Sequence, residues 1–460
     1  MRLSIILLFL LAFITHSYAQ ICFSPAQEIY PQAYGNMVAK TDFNSDGRLD
    51  LALGVSNKIY FLTGQGNGQF DTLSQTLLSG IPNKLAFGDF NHDSKPDLAY
   101  GFKSGAIEGV AIAWGSSSNR YDSLTEVFHS SINCAFCIID VNKDSSADVA
   151  ITNYSSTVWI FYGSTQGAFK TFDTYNKATP GYSVAIESGD LNKDGWDDLV
   201  IGNGALKGST FEGKDSITAL INKKDGHFLP SVSSWCKGKI SEMYIGDFNG
   251  DHNPDVLAAN YNSKSTTVLW GSGGPAFFVA EPIGQLTQYY NYANIADFNL
   301  DGIDDIAFKR GDTSTIQVIV MGGTKDGKFA DAQTYPVSGG AFFSGTINSD
   351  SLPDLGLTTG SKMQVLYNCS ATGLETQTVN AFKFFPNPSA GRIFIQTNAR
   401  IKDPSFEVYS CNGLLLGKPQ IERNSPGDFT LNLNYSPGLY FVHVYDAENL
   451  VFIQKLVIGY

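Results

Sequence analysis

Acidic and amide side chains recur along this 460-residue chain in seven similar nine-residue loops. Six loops follow the pattern D-x-N-x-D-x-x-x-D, and the seventh begins with Thr346 in place of the first aspartate. Side-chain oxygens at positions 1, 3 and 5 can surround one centre, position 7 can lend a backbone carbonyl, and position 9 can close the shell. A donor set of oxygens alone suits a hard cation, so the loops predict up to seven structural Ca²⁺ ions.

The predicted calcium ligands are the residues at positions 1, 3, 5 and 9 of each loop. They are Asp42, Asn44, Asp46 and Asp50; Asp89, Asn91, Asp93 and Asp97; Asp140, Asn142, Asp144 and Asp148; Asp190, Asn192, Asp194 and Asp198; Asp247, Asn249, Asp251 and Asp255; Asp297, Asn299, Asp301 and Asp305; and Asn348, Asp350 and Asp354. Position 6 favours a residue that tolerates positive φ, a condition that Gly47, Gly195 and Gly302 meet. We therefore expect loops one, four and six to bind most strongly and loop seven most weakly.

A single loop of this kind is equally well explained as an Asp- and Asn-rich β-turn that binds no metal. Successive loops, however, begin 47, 51, 50, 57, 50 and 49 residues apart. A period of this length is typical of a repeat protein. Unrelated β-turns would not recur at such a regular spacing. No Cys or His stands at a ligand position, which argues against zinc.

The sequence around each loop predicts the elements that position it. A short apolar strand follows the loop, as in Leu51 to Leu53, and a further apolar strand ends in a turn before an aromatic residue such as Phe70. Each unit of about fifty residues therefore contains four predicted strands, the size of one propeller blade. The predicted fold is all-β, a seven-bladed β-propeller followed by a small Ig-like β-sandwich.

The seventh unit ends after its third strand, residues 364–368. The missing fourth strand is predicted at the other end of the mature chain, where residues 23–32 resemble the fourth strands of other units. The N-terminal strand would thus complete the last blade and remove an open sheet edge. Cys22 precedes that strand and Cys369 follows the third, so an antiparallel pairing predicts a disulfide between them.

Hydropathy and composition predict the domain limits. Residues 1–19 have one arginine, an apolar run and a small-residue cleavage site, which together predict a signal peptide for export to the periplasm. Residues 20–369 form the predicted propeller, 370–380 a polar linker and 381–460 the C-terminal domain. No other apolar stretch reaches the length of a transmembrane segment. We therefore expect a secreted protein or one on the outer cell surface.

The last eighty residues resemble the C-terminal sorting domain, type A, of proteins exported by the type IX secretion system of the Bacteroidota. The matching residues are Phe385-Pro386-Asn387-Pro388, Gly391, Val408-Tyr409, Asn412-Gly413, Ser436-Pro437-Gly438-Leu439-Tyr440 and Lys455-Leu456-Val457. The resemblance implies that the type IX machinery is a partner and that the tail is a transport address.

The repeated units resemble the FG-GAP and VCBS repeats of integrin-α-type propellers. This resemblance implies that calcium is structural on one face and that ligands bind mainly through the loops of the opposite face. Two of those loops are predicted to be long, Gly101 to Gly109 and Gly202 to Ser216. Tyr289, Tyr290 and Tyr292 are candidates for an exposed aromatic platform, although packing in the core is the favoured interpretation.

Catalytic motifs are weak in this sequence. It has no G-x-S-x-G and no H-E-x-x-H, so no catalytic residue is predicted. Gly322 to Lys328 spells G-x-x-x-x-G-K but aligns with the hairpin turns of other units, and Cys134 and Cys137 are interpreted as structural thiols. The formal net charge of −13 comes largely from the acidic loops and gives little support to a nucleic-acid partner.

The sequence therefore favours a binding or adhesion module for an extracellular carbohydrate or protein ligand. Two alternatives remain: a polysaccharide-active enzyme, such as a lyase, working from a propeller face, and a purely structural surface protein. Basic residues clustered with carboxylates in the central pocket would favour the enzyme. An exposed surface of aromatic and amide groups would favour the lectin-like module.

Overall fold

The computed structural model describes residues 21–29, 35, 37–130, 134–153, 157–169, 172–176, 182–204, 216–236, 240, 242–260, 265–274, 277–283, 290–311, 316–348, 350–359, 362–370, 382–385, 391–397, 404–410, 415–425, 428–436, 438–446 and 449–458. The predicted signal peptide lies outside the described residues, as does the predicted linker except for Ser370. Within the described residues, every regular element of the chain is a β-strand.

Six consecutive four-stranded antiparallel sheets account for most of the chain. Blade one contains β2 (Met37–Thr41), β3 (Asp50–Val55), β4 (Lys58–Gly64) and β5 (Phe70–Leu77), and blade two contains β6 (Ile81–Gly88), β7 (Asp97–Ser104), β8 (Ile107–Trp114) and β9 (Ser123–Ser130). Blade three contains β10 (Cys134–Ile139), β11 (Asp148–Asn153), β12 (Thr157–Phe161) and β13 (Phe172–Asn176), and blade four contains β14 (Tyr182–Gly189), β15 (Asp198–Gly204), β16 (Ser216–Leu220) and β17 (Val232–Trp235). Blade five contains β18 (Glu242–Gly246), β19 (Asp255–Asn260), β20 (Ser265–Gly271) and β21 (Phe277–Pro282), and blade six contains β22 (Tyr290–Ala296), β23 (Asp305–Gly311), β24 (Ile316–Met321) and β25 (Gln333–Val337).

The seventh blade joins the two ends of the propeller sequence. Its strands are β26 (Phe342–Gly345), β27 (Asp354–Thr359), β28 (Lys362–Leu366) and, as the outer strand, the N-terminal β1 (Gln27–Ile29). Gln27 lies opposite Val365 in the antiparallel β1–β28 pair. Cys22 and Cys369 form a disulfide beside this pair, and the Cys369 N–H donates to the Cys22 carbonyl at 2.7 Å.

The seven innermost strands contact one another in cyclic order, and β26 returns to β2. After an initial aspartate, the first half of each second strand is apolar, because both of its faces are buried between blades. In β3, Leu51 and Leu53 pack toward blade seven, whereas Ala52 packs toward blade two, and all three are fully buried. Burying each leucine contributes about 1.5–3 kcal/mol. The four-strand blades and the all-β propeller predicted from the sequence are therefore confirmed.

The C-terminal region forms two further four-stranded antiparallel sheets. One contains β29 (Phe382–Phe385), β30 (Arg392–Thr397), β34 (Asp428–Asn432) and β33 (Gln420–Ser425), and the other contains β32 (Leu415–Gly417), β31 (Pro404–Ser410), β35 (Gly438–Asp446) and β36 (Asn449–Ile458). Their facing apolar residues, including Ile393, Phe406 and Val442, share one buried core. The C-terminal residues therefore form the predicted β-sandwich.

The predicted long connection from Gly101 to Gly109 is wrong. Strand β7 continues to Ser104, β8 begins at Ile107, and only Gly105 and Ala106 join them. The glycines that suggested a loop lie inside paired strands, where space is short. A Cβ on Gly109 would lie 2.4 Å from the Phe128 carbonyl oxygen. The other predicted long connection, Gly202 to Ser216, lies mostly outside the described residues.

Candidate functional site

All seven acidic loops join the first strand of a blade to its second strand. They lie at one end of the ring, which we call the acidic face. Backbone hydrogen bonds connect neighbouring loops there: the Ala147 N–H donates to the Asp89 carbonyl at 2.7 Å, and the Asp304 N–H donates to the Asp247 carbonyl at 2.9 Å. The loops are therefore part of the contact between blades as well as turns within them.

Side chains at positions 1, 3 and 5 turn inward around the loop backbone. In loop one the Asp46 N–H donates to Asp42 Oδ1 at 3.0 Å and to Asn44 Oδ1 at 2.9 Å, so these two oxygens lie close together. Asp42 Oδ2 accepts the Gly47 N–H, and Asp46 Oδ1 accepts the Arg48 N–H. Loops two, four and six repeat these contacts. The loop thereby preorganises oxygens from three side chains.

Two positions in the loop require a left-handed backbone. Position 6 has φ of 81° at Gly47 and 65° at His252, as the sequence indicated. Position 4 also has positive φ, for example 62° at Ser45 and 56° at Leu300, and this was not predicted. Non-glycine residues in this region are strained. The surrounding hydrogen bonds therefore hold these non-glycine residues at positive φ.

The aspartate at position 9 is fully buried in every blade. Its carboxylate accepts one N–H from position 2 of its own loop and another from the turn that ends the third strand. For Asp148 these donors are Val141 at 3.0 Å and Gly163 at 2.8 Å. The equivalent bonds are made by Asp50, Asp97, Asp198, Asp255, Asp305 and Asp354. Each of these residues therefore holds three strands of its blade together.

Burial raises the pKa of these aspartates, and the backbone N–H donors oppose that shift. The pKa is about 6 for Asp50 and Asp198 and about 8 for Asp305. For the other four, Asp97, Asp148, Asp255 and Asp354, it is about 7. Desolvation is the largest cause in each case.

The chemistry of the loops fits an oxygen-seeking cation, although no group of three or more His, Cys, Asp or Glu side chains in the described residues is arranged as a metal site. The inward oxygens at positions 1, 3 and 5 come from both carboxylate and amide groups. In loop three, Asp140 Oδ1 is a buried oxygen without a hydrogen-bond partner among the described residues. A buried unpaired carboxylate oxygen is costly, and a cation would satisfy it.

A second candidate site lies on the axis of the ring. Residues on or next to the innermost strand of all seven blades line a cavity of about 430 Å³. Its wall includes the small residues Ala135, Ala185 and Ala341 and the polar residues Asn83 and Lys84. We call this cavity the central channel. Its volume falls within the range of small-molecule pockets, about 300–1,000 Å³.

Two lysines and two glutamates meet in or beside the central channel. Lys84 Nζ of blade two lies 3.1 Å from Glu187 Oε1 of blade four, and the two side chains are 38% and 36% exposed. The Tyr244 hydroxyl donates to Glu242 Oε2. Lys309 is buried, lies 4.4 Å from the Tyr292 ring centroid and donates to the Gly340 carbonyl.

The enclosure of the channel changes the ionisation of these groups. Desolvation raises the pKa of Glu242 to about 7 and lowers the pKa of Lys309 to about 8. Burial, the largest single effect, lowers the pKa of Lys84, but the nearby acidic groups, chiefly the Glu187 carboxylate, together outweigh it, so the pKa of Lys84 is raised. Such shifts are typical of functional clefts, because a proton is exchanged most easily near its pKa.

Sequence reasoning singled out Tyr292 but missed the charged residues of the channel. One equivalent position in each repeat lies five residues before the acidic loop begins. It is polar in blades two, five and six, as Lys84, Glu242 and Tyr292. In blades one and four it is apolar, as Met37 and Ala185. A comparison of equivalent positions among the repeats would have found these polar exceptions. Tyr289 lies outside the described residues, and the side chain of Tyr290 is not described, so the tyrosine platform is represented by Tyr292 alone.

The two thiols of the C-x-x-C sequence lie on β10. Burial raises the pKa of Cys134 to about 11 and raises the pKa of Cys137 as well, so neither is an activated nucleophile. The glycine-rich stretch from Gly322 to Lys328 joins β24 to β25 as a hairpin turn, in agreement with the interpretation from sequence.

Family comparisons agree with this architecture. Residues 42–100, 140–201 and 247–308 match the FG-GAP-like repeat, and residues 383–459 match the Secretion system C-terminal sorting domain. The chain therefore contains FG-GAP-like repeats, which form its β-propeller, followed by a secretion sorting domain. Both resemblances recognised in the sequence are confirmed.

The sorting domain places the protein among those secreted through the type IX machinery to the cell surface or the extracellular space. Among the described residues, no helix has the length and apolar character needed to cross a membrane.

Individual relatives share part of the chain. The T-cell immunomodulatory protein of Homo sapiens is 27% identical over 261 residues, which cover 53% of this chain and 41% of the human protein. The protein of the same name from Rattus norvegicus is 24% identical over 313 residues, 60% of this chain and 49% of its own. The chain thus spans less than half the length of these relatives.

A solved structure supports the fold. The crystal structure of BBS1N in complex with ARL6DN, soaked with lead, aligns with a TM-score of 0.50 and covers 75% of this chain and 96% of its own. At 11% sequence identity, this likeness concerns the fold alone.

A matched pair of substitutions separates the two kinds of loop aspartate. With excess chelator present, we expect Asp148→Asn to lower the free energy of unfolding by about 1–3 kcal/mol, because an amide group cannot accept both buried N–H bonds. Asp144→Asn, at an exposed position of the same loop, should change it by less than about 0.5 kcal/mol. Urea unfolding measures both values, and equal losses would contradict a structural role specific to position 9.

The raised pKa of Glu242 predicts a pH-dependent effect of Glu242→Gln. Between the ordinary pKa of 4.5 and the folded value of about 7, the folded state binds more protons than the unfolded state, so this group's contribution to stability falls as pH rises. The melting temperature of the variant relative to the wild type should therefore increase from pH 5 to pH 8. Glu126→Gln, on the exposed face of β9, is the control and should have little effect at either pH. A constant difference for Glu242→Gln would contradict the shift.

Proposed function

We propose that this protein is a secreted or surface-held calcium-binding propeller that serves as a binding module for an extracellular carbohydrate or another extracellular macromolecule. The observation that carries the proposal is the central channel, a cavity of about 430 Å³ whose wall combines charged, amide and hydroxyl groups with aliphatic and aromatic side chains. This combination is typical of ligand sites. The sorting domain agrees with an extracellular role.

Calcium is proposed as a structural ion on the acidic face. The support is the inward arrangement of oxygens at loop positions 1, 3 and 5 and the unpaired Asp140 Oδ1. Asp42, Asn44 and Asp46 would hold an ion in loop one, and corresponding residues would do so in the other loops. Position 9 already accepts two N–H bonds but retains further lone pairs. The ion would neutralise carboxylates that lie close together.

A signal peptide at residues 1–19 is proposed for the first step of export. Its apolar run and small-residue cleavage site support this assignment. The sorting domain supports it as well, because an extracellular protein must first leave the cytoplasm.

A polysaccharide-active enzyme is the second candidate function. The observation that favours it is the presence of two lysines and two glutamates around the central channel, with the pKa of Glu242 at about 7 and that of Lys309 at about 8. A carboxyl group protonated near neutral pH can act as a general acid. This cluster of lysines and carboxylates is the feature expected of the enzyme. The binding module remains our first proposal, because these groups already pair or hydrogen-bond within the protein and no catalytic motif in the sequence singles them out.

Calcium removal tests the structural-ion proposal. We expect the melting temperature of the mature chain to rise with Ca²⁺ concentration, since each ion that binds only the folded state adds about 2.7 kcal/mol at a hundred times its Kd. Asp301→Asn in loop six should reduce this rise more than Asp350→Asn in loop seven. Differential scanning calorimetry in calcium and in chelator provides the measurement. Identical melting temperatures in the two solutions would refute structural calcium.

A glycan-array screen of the mature protein in millimolar Ca²⁺ tests the binding function. We expect retention of at least one class of glycan, with no new products when the same polysaccharides are incubated with the protein in solution. Depolymerised products would instead support the enzyme. No binding and no cleavage would contradict a carbohydrate ligand and direct the search to protein partners.

A further inference from the structure

We propose that the central channel binds the end of a neutral carbohydrate chain, and that Glu242, Glu187 and Lys84 hold hydroxyl groups of its terminal sugar. This inference rests on the proposed function and assigns a site and a ligand class to it. The shape of the channel, its balance of charge and the hydrogen-bonding capacity of its side chains support this assignment.

The shape of the channel determines how a ligand enters. The innermost strands of seven blades contact one another in cyclic order around it, which leaves the axis as the direct route of entry. A ligand must therefore enter along the axis with one end first. Ala135, Ala185 and Ala341 leave room that larger side chains would fill. A chain end fits this geometry, whereas a closed ring of sugars does not.

The balance of charge disfavours a ligand with a net charge. Lys84 and the neighbouring Lys309 are opposite in charge to Glu187 and Glu242, so the group offers little net charge to attract an ion. An ionic ligand would also lose its hydration beside a charge of its own sign. Hydroxyl groups are neutral and both donate and accept hydrogen bonds, so they can use ammonium and carboxylate groups at once.

The charged side chains keep capacity for further hydrogen bonds. Glu187 uses Oε1 for Lys84, and Glu242 uses Oε2 for the Tyr244 hydroxyl. Each carboxylate has a second oxygen, and the Lys84 ammonium has three donors, of which Glu187 takes one. Pairing also fixes these groups before the ligand arrives. Little side-chain entropy is then lost on binding.

An aromatic wall completes the site. Tyr244 and Tyr292 both line the channel, and the Tyr244 hydroxyl accepts the Ala293 N–H at 3.0 Å. Lys309 Nζ lies over the Tyr292 ring, 4.4 Å from its centroid. Rigid aromatic rings offer apolar surface to the C–H faces of a sugar at low entropic cost. The channel thus has polar groups for hydroxyls and apolar groups for the ring.

Titration calorimetry on the mature chain tests this assignment. The probes are glucose, galactose, mannose and xylose with their linear oligosaccharides, the charged analogues glucosamine and glucuronate, and a cyclodextrin that has no chain end. We expect at least one neutral sugar to bind, its charged analogues to bind at least tenfold more weakly, and the cyclodextrin not to bind.

Three variants locate the binding. At pH 8, above the pKa of Glu242, Glu242→Gln preserves the shape of the side chain but removes its charge, and should weaken binding at least tenfold. Ala135→Phe should fill the channel and abolish binding. Glu126→Gln, on the outer strand of blade two, should bind as the wild type does. Melting temperatures establish whether each variant is folded. If Ala135→Phe does not fold, Glu242→Gln still tests the channel.

The outcomes separate this inference from the proposed function. Sugar binding that survives both channel substitutions would overturn the channel assignment and leave the binding module intact. Tighter binding of glucosamine, glucuronate or the cyclodextrin would overturn the neutral chain end as the ligand. Absence of binding to every calorimetric probe would overturn the channel assignment. A silent glycan array would in addition exclude a carbohydrate ligand and leave a protein partner for the binding module.

Discussion

One buried carboxylate in each blade joins three strands that would otherwise be connected only through sheet pairing. The aspartate at position 9 begins the second strand, accepts an N–H from the loop after the first strand and accepts another from the turn after the third. A carboxylate is costly to bury unless such donors satisfy it. Its position therefore determines where the loop closes and where the third strand ends. The same interaction recurs seven times, so the blades share one internal register.

In blade seven, the position 9 aspartate also takes part in the contacts that close the ring. In blade seven Asp354 accepts the Asn368 N–H at 2.8 Å, and the Asn368 amide donates to the Phe298 carbonyl of blade six at 2.7 Å. Cys369 follows immediately and is bonded to Cys22. The last turn of the propeller thus holds its own blade, the preceding blade and the N-terminal segment. Closure removes the sheet edge that an open ring would expose.

Two chemically different regions result from this arrangement. The acidic face collects carboxylates in loops whose backbone is fixed by hydrogen bonds, which suits a structural cation. The central channel instead combines two lysines with two glutamates, so its charges compensate one another. Because the two regions are separate, the loops can stabilise the ring while the side chains of the first strands differ from blade to blade. Lys84 and Ala185 stand at equivalent positions of different blades, although they differ in charge and size.

Sequence alone determined the number of blades, their four-strand pattern and the sorting domain, because each depends on local patterns that recur at fixed spacing. It wrongly predicted a long loop from Gly101 to Gly109, since glycines needed for close packing in a strand cannot be distinguished by sequence from glycines in a loop. It also failed for the central channel. Lys84 and Glu187 lie 103 residues apart and belong to blades two and four. Only ring closure brings such residues together, because each blade contributes one short segment to the channel wall. No local motif encodes that set of residues.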